Sequence, residues 1–126
     1  MPQLTIVAYH YVRNRAESSY PLIKGLDTKD FEGQLDYIAK HYQVYSVKSL
    51  KNAFRKKGGI PSNACLLTFD DGFLDHFTTA FPLLVSRGMV GSFFPPARAI
   101  LERKVLDVHK VQFILASTTE FGALVR

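Results

Sequence analysis

The 126 residues suffice for one domain or part of one and cannot supply two independent cores. Forty-seven per cent of them are hydrophobic, which excludes wholesale disorder, and a single cysteine, Cys65, excludes an intrachain disulfide or a cysteine-rich zinc site. The formal charge is +5, from 16 basic and 11 acidic side chains, and much of the excess is gathered in Lys48, Lys51, Arg55, Lys56 and Lys57. Such a run suits nucleic acid, anionic lipid or an acidic sugar, or else it is the solvated face of a helix. Lys48, Lys51 and Arg55 recur at helical spacing beside an apolar stripe of Val47, Leu50 and Phe54, so the helix face is preferred and no nucleic-acid partner is expected.

In chain order, Leu4 to Tyr9 is a nearly continuous apolar run, the pattern of a strand buried on both faces, and it ends at His10. Arg13 to Lys24 is polar and reads as a loop. Asp27 or Thr28 caps the next helix, Asp30 and Glu32 suit its positive end, and Phe31, Leu35 and Ile38 form its buried stripe. His41 then places a favourable charge at that helix's C-terminus. Val44 and Tyr45 suggest a brief strand, Ser46 caps the basic helix, and Gly58-Gly59 stops it. Ala64 to Phe69 is a second apolar strand, with Cys65 as core filler.

After Gly72 two readings compete. One long helix would carry Phe73, Phe77, Phe81 and Leu84 on one stripe but would hold Pro82 in its interior, at a cost of about 3 kcal/mol. A helix capped by Thr79 puts Pro82 in the first turn, where its missing N–H is harmless, and leaves Asp75 and His76 on a loop. The second is preferred. Gly88 ends that helix, Met89 to Phe94 forms another buried strand closed by Pro95-Pro96, and Val105 to Ala116 is a helix with Val108, Val111 and Leu115 inward. Alternating strands and helices predict an α/β fold with mainly parallel strands, and ligands bind such folds at the strands' C-terminal ends. His10, Asp70 and Asp71 each fall just past an apolar strand, at that edge.

Adjacent carboxylates at a strand mouth resist desolvation and repel one another. A divalent cation held by one of them relieves both problems and leaves the other free to act as a base. Asp-Gly is equally at home in a solvated β-turn, and local chemistry alone does not choose.

Leu66-Leu67-Thr68-Phe69-Asp70-Asp71-Gly72-Phe73 resembles the first motif of the NodB-like polysaccharide deacetylases, carbohydrate esterase family 4. Ala8-Tyr9-His10-Tyr11-Val12, Thr79 to Leu84 and Arg87 to Phe94 resemble that family's first strand end, next helix and following strand. The resemblance implies a distorted (β/α) barrel, here a partial one, that removes N- or O-acetyl groups from sugars with a divalent metal, often zinc. It assigns Asp70 as catalytic base and Asp71 as metal ligand; by position alone, His10 at a strand mouth and Asp75 and His76 on the loop after the motif are candidates for contacts to substrate or to the groups around the metal. The family's His-x-x-x-His ligands find no match, since the residue four after His109 is Phe113. Asp107 and His109 are candidates for substitute ligands, but a surface pair in or just before a helix is the preferred reading. The chain is therefore expected to be the N-terminal part of one deacetylase domain, preferred over a naturally short derivative with no intact site because an unclosed parallel sheet exposes its edge and apolar face. Its expected partner is an acetylated carbohydrate, and self-association through an unclosed sheet is considered.

Two further enzyme classes fit poorly: aspartate-nucleophile phosphatases need Asp-x-Asp but position 72 is glycine, and prenyl-diphosphate enzymes place their carboxylates on a helix. A carbohydrate-binding or assembly module without catalysis stays open. No leader pattern opens the sequence and no apolar stretch approaches ~20 residues, so a cytoplasmic setting without membrane insertion is the expectation.

Overall fold

The computed structural model describes residues 3–55 and 59–118. Among the described residues four parallel strands form one open sheet: β1 (Leu4–Tyr9), β2 (Gln43–Val44), β3 (Ala64–Asp70) and β4 (Ser92–Phe94). β3 is the organising strand. β1 lies along it from Leu4 opposite Ala64 to Tyr9 opposite Phe69, while β2 pairs with its start and β4 with its end. Between strands run α1 (Thr28–His41), α2 (Val47–Arg55) and a π turn (His76–Ala80) continuing into α3 (Phe81–Ser86), and after β4 come α4 (Ala97–Glu102) and α5 (Asp107–Ser117). This is the expected α/β architecture, a partial and distorted (β/α) barrel whose sheet does not close.

The core forms where α1 meets β1 and β3. Phe31, Leu35 and Ile38 pack against Tyr9, Val12, Cys65, Leu67, Phe69, Ala80 and Leu84. Asp27 caps α1 by accepting the Lys29 N–H, and Ser46 accepts the Ser49 N–H ahead of α2, both as the sequence indicates. Gly59 has a positive φ, whereas Gly58, Lys56 and Lys57 lie outside the described residues.

Four expectations need correction. β1 is not buried on both faces: Val7 and Tyr9 face α1, but Ile6 is exposed because no described element covers the other side. In α2 only Leu50 is buried, and Val47 and Phe54 stand in solvent beside the basic residues. The strand expected from Met89 shrinks to Ser92–Phe94, with Phe93 and Phe94 exposed, since β4 meets only the last three residues of β3. The helix after Gly72 begins at Leu74 rather than at a Thr79 cap, so Asp75 and His76 are helical. The π turn reconciles that helix with Pro82: the Phe81 N–H bonds to the His76 carbonyl five residues back, and the proline's missing donor falls where the hydrogen-bond register changes. α4 was not anticipated; Pro95-Pro96 looked like a break and proved to be its start.

Tyr9 lies buried between Phe31, edge-on at 5.0 Å, and Phe69, stacked at 5.1 Å, and its hydroxyl donates to Gln34. Burial pushes its phenol up to about 12, with Cys65 adding to the effect. The folded state therefore holds the phenolic proton more tightly than the unfolded chain, a stabilisation present below pH 10 and lost as pH rises towards 12. Urea unfolding is expected to show about 2–3 kcal/mol more alkaline loss in the native chain than in Tyr9→Phe over that window.

Candidate active site

β3 ends at Asp70, and the next two residues take left-handed backbone conformations: Asp71 at φ 74° and Gly72 at φ 64°. Glycine is required at 72 on two counts, because a Cβ there would also stand 2.7 Å from that of Pro95. For Asp71 the same conformation is strained.

Two imidazoles meet that carboxylate. His10 Nδ1, from the end of β1, lies 3.1 Å from Asp71 Oδ2, and His109 Nε2, from α5, lies 3.5 Å from Oδ1. His10 is open to solvent, its side chain 60% exposed against 31% for Asp71. His109 is buried, with its ring 4.9 Å from that of Phe73 and edge-on to Tyr11. His10, Tyr11, Lys24, Asp71, His109 and Gln112 line a cavity of about 330 Å³ at this point. Asp70 is half-buried, and its carboxylate makes no hydrogen bond or ion pair to another described residue.

The other two sequence candidates support the rim from behind. His76 is buried and donates from Nε2 to the His10 carbonyl at 2.7 Å. A carbonyl only accepts, so the proton sits on Nε2, and buried Nδ1 is left without a partner among aromatic rings. Asp75 accepts two bonds from Arg13, from Nε at 2.8 Å and from an NH2 group at 2.9 Å, and Arg13 lies over the Tyr11 ring. The structure thus brings His10, Asp71 and His109 together and commits Asp75 and His76 to holding the segment after β1 against the helix after β3. His41 stacks near Tyr37, away from this cluster.

His109 is the site residue that sequence reasoning set aside as part of a surface pair. The inward stripe of α5 is His109, Phe113 and Ala116, spaced by four and three, with exposed Gln112 at its edge accepting from the Tyr11 hydroxyl, while Val108, Val111 and Leu115 remain exposed. That stripe was present in the sequence, masked by the stronger apolar one. Asp107, its supposed companion, pairs with Lys110 in solvent.

A divalent cation needs three or more donors converging on one point. Here the two imidazoles address opposite oxygens of Asp71, and among the described residues no group of three His, Cys, Asp or Glu side chains is placed to hold a metal. The described residues alone do not fit a complete metal site.

No family model matches the chain. It is 31% identical over 102 residues to YxkH of Bacillus subtilis (strain 168), assigned by name to the polysaccharide deacetylases. That match covers 78% of the chain and 33% of YxkH, so the chain spans about a third of this relative's length. Among solved structures it is similar to IcaB from Ammonifex degensii, at 28% identity and a TM-score of 0.58, covering 77% of the chain and 42% of IcaB. A de-N-acetylase from Aggregatibacter actinomycetemcomitans (23% identity, TM-score 0.62, 73% of this chain and 37% of that one) shares the fold. So does the Streptococcus pyogenes deacetylase PplD, solved with acetate (15% identity, TM-score 0.59, 91% and 51%).

Proposed function

We propose, for a chain that matches the NodB-like polysaccharide deacetylases, that it carries the aspartate half of a hydrolytic site acting on an acetylated sugar. The observation that carries the reading is the placement of Asp70 and Asp71 at the C-terminal edge of β3, with Asp71 met there by His10 and His109. Asp70, without a hydrogen bond or ion pair to another described residue, takes the proton from the water that attacks the acetyl carbonyl; the bond from that carbonyl carbon to the sugar's nitrogen or oxygen then breaks, acetate is released, and the sugar's amine or hydroxyl departs with the proton. His10, Asp75 and His76 serve this rim, the first from the open side and the others by holding it in place.

Asp71 is proposed as one ligand of a divalent cation, zinc by preference, with the missing donors supplied from outside the described residues. The carbohydrate substrate and a cytoplasmic setting belong to the same proposal. No helix among the described residues is long and apolar enough to cross a membrane. Self-association through the free edge of β1 is a further part of it, since that strand pairs only with β3 among the described residues.

The lack of a three-donor set among the described residues favours a second reading, a carbohydrate-binding or assembly module that keeps the fold without catalysis. Acetate release from N-acetylated oligosaccharides separates them when combined with zinc titration. The deacetylase reading expects little turnover from this chain alone but a weak zinc site that depends on Asp71. A binding module expects oligosaccharide affinity indifferent to both zinc and Asp71.

A further inference from the structure

Next to the Asp71 cavity lies a second one of about 660 Å³, in the range of small-molecule sites. Its floor is Tyr11, Ile23 and Ala116, all buried, and its rim carries Leu22 and Leu115, both exposed. The two cavities share Tyr11, Lys24 and Gln112, and the ridge between them is the hydrogen bond from the Tyr11 hydroxyl to Gln112 at 2.9 Å. Lys24 stands on that ridge, exposed and without a hydrogen bond or ion pair to another described residue. A third hollow brings Arg15 to the same lysine beside His10.

A free oligosaccharide has little use for this second cavity, since its aliphatic walls offer few of the donors and acceptors that hydroxyl groups need when they leave water. An anionic polymer would meet Lys24 but leave the aliphatic floor empty. A molecule with a polar head, an anionic link and an alkyl tail matches all three parts in order: the Asp71 cavity, the basic ridge and the apolar cavity.

We infer that the cavity beside the site binds the alkyl chain of a phosphate-bearing amphiphile, so that the sugar presented to Asp70 and Asp71 is lipid-linked. The lipid-linked sugar rests on the deacetylase reading; binding of the alkyl phosphate does not. The chain lies between Leu22, Ile23, Leu115 and Ala116, and the phosphate sits at Lys24 with Arg15 close by.

The test is calorimetric titration of the chain with butyl, hexyl and octyl phosphate below their micelle-forming concentrations, with octanol as the uncharged control. Each methylene buried tightens binding about four-fold, so octyl phosphate is expected to bind at least about ten-fold more tightly than butyl phosphate. The double variant Leu22→Ser with Leu115→Ser, altering two exposed rim positions, is expected to flatten that series while keeping the fold. Lys24→Gln is expected to weaken octyl phosphate several-fold and leave octanol unchanged. A flat series in the native chain overturns the inference, as does an equal climb in the double variant, or octanol binding as tightly as octyl phosphate. A second copy of the chain filling the cavity would give the flat series together with a dimer in sedimentation. None of these titrations requires turnover, so zinc binding indifferent to Asp71 would remove the deacetylase reading and leave this one standing.

Discussion

Phe69→Ala is expected to cost about 3–5 kcal/mol, a third or more of the stability of an ordinary small domain. The residue is fully buried in the central strand, where its ring stacks on Tyr9 at 5.1 Å and on Phe93 at 4.8 Å and meets Phe31 and His76 edge-on. Leu84 closes the same space, and a Cβ built on Gly91 would lie 2.8 Å from the Phe69 ring and 3.0 Å from Leu84, so the backbone there is already in contact. Little can move in to fill the void, which puts the loss at the upper end for a large-to-small change. Urea unfolding measures it, with Phe69→Leu expected to lose less than half as much. A loss below about 1 kcal/mol for the alanine variant would mean that β3 is not the centre of the core.

Asp71→Asn is expected to weaken zinc binding at least about ten-fold with the fold retained, because asparagine keeps the shape and tolerates a positive φ but loses the charge that draws a cation. His109→Ala is expected to weaken it too, since the ring is the buried neighbour of Oδ1, whereas Asp107→Ala, whose partner is Lys110 in solvent, should leave it unchanged. Calorimetric zinc titration of the three variants decides the matter. If the Asp71→Asn curve superimposes on that of the native chain, Asp71 is a turn residue and the proposed site is lost.

The strand-helix order and the position of the rim were legible because they depend on local signals. Apolar runs marked β1 and β3, Asp27 and Ser46 capped their helices, and Asp-Asp-Gly sat at the end of an apolar run. What failed to show depended on which side of an element the rest of the fold would cover. In α5 the valines and leucine formed the stronger apolar pattern, yet the side chosen for burial is the one whose histidine meets Asp71 and whose Gln112 meets Tyr11. The same holds for Ile6, Val47 and Phe54, apolar by type and exposed in place. Pro82 misled for a different reason: sequence rules treat proline as ending a regular helix, and a single widened turn lets the helix continue past it.

Two unlike clasps join the segment after β1 to the helix after β3, one a charged fork between Arg13 and Asp75 and the other a single hydrogen bond from His76 to the His10 carbonyl. A hinge between these segments would have to open both at once, and salt that screens the first leaves the second intact. The gap between His10 and Asp71 is thereby set before anything enters it, so a guest need not freeze a wandering loop on arrival.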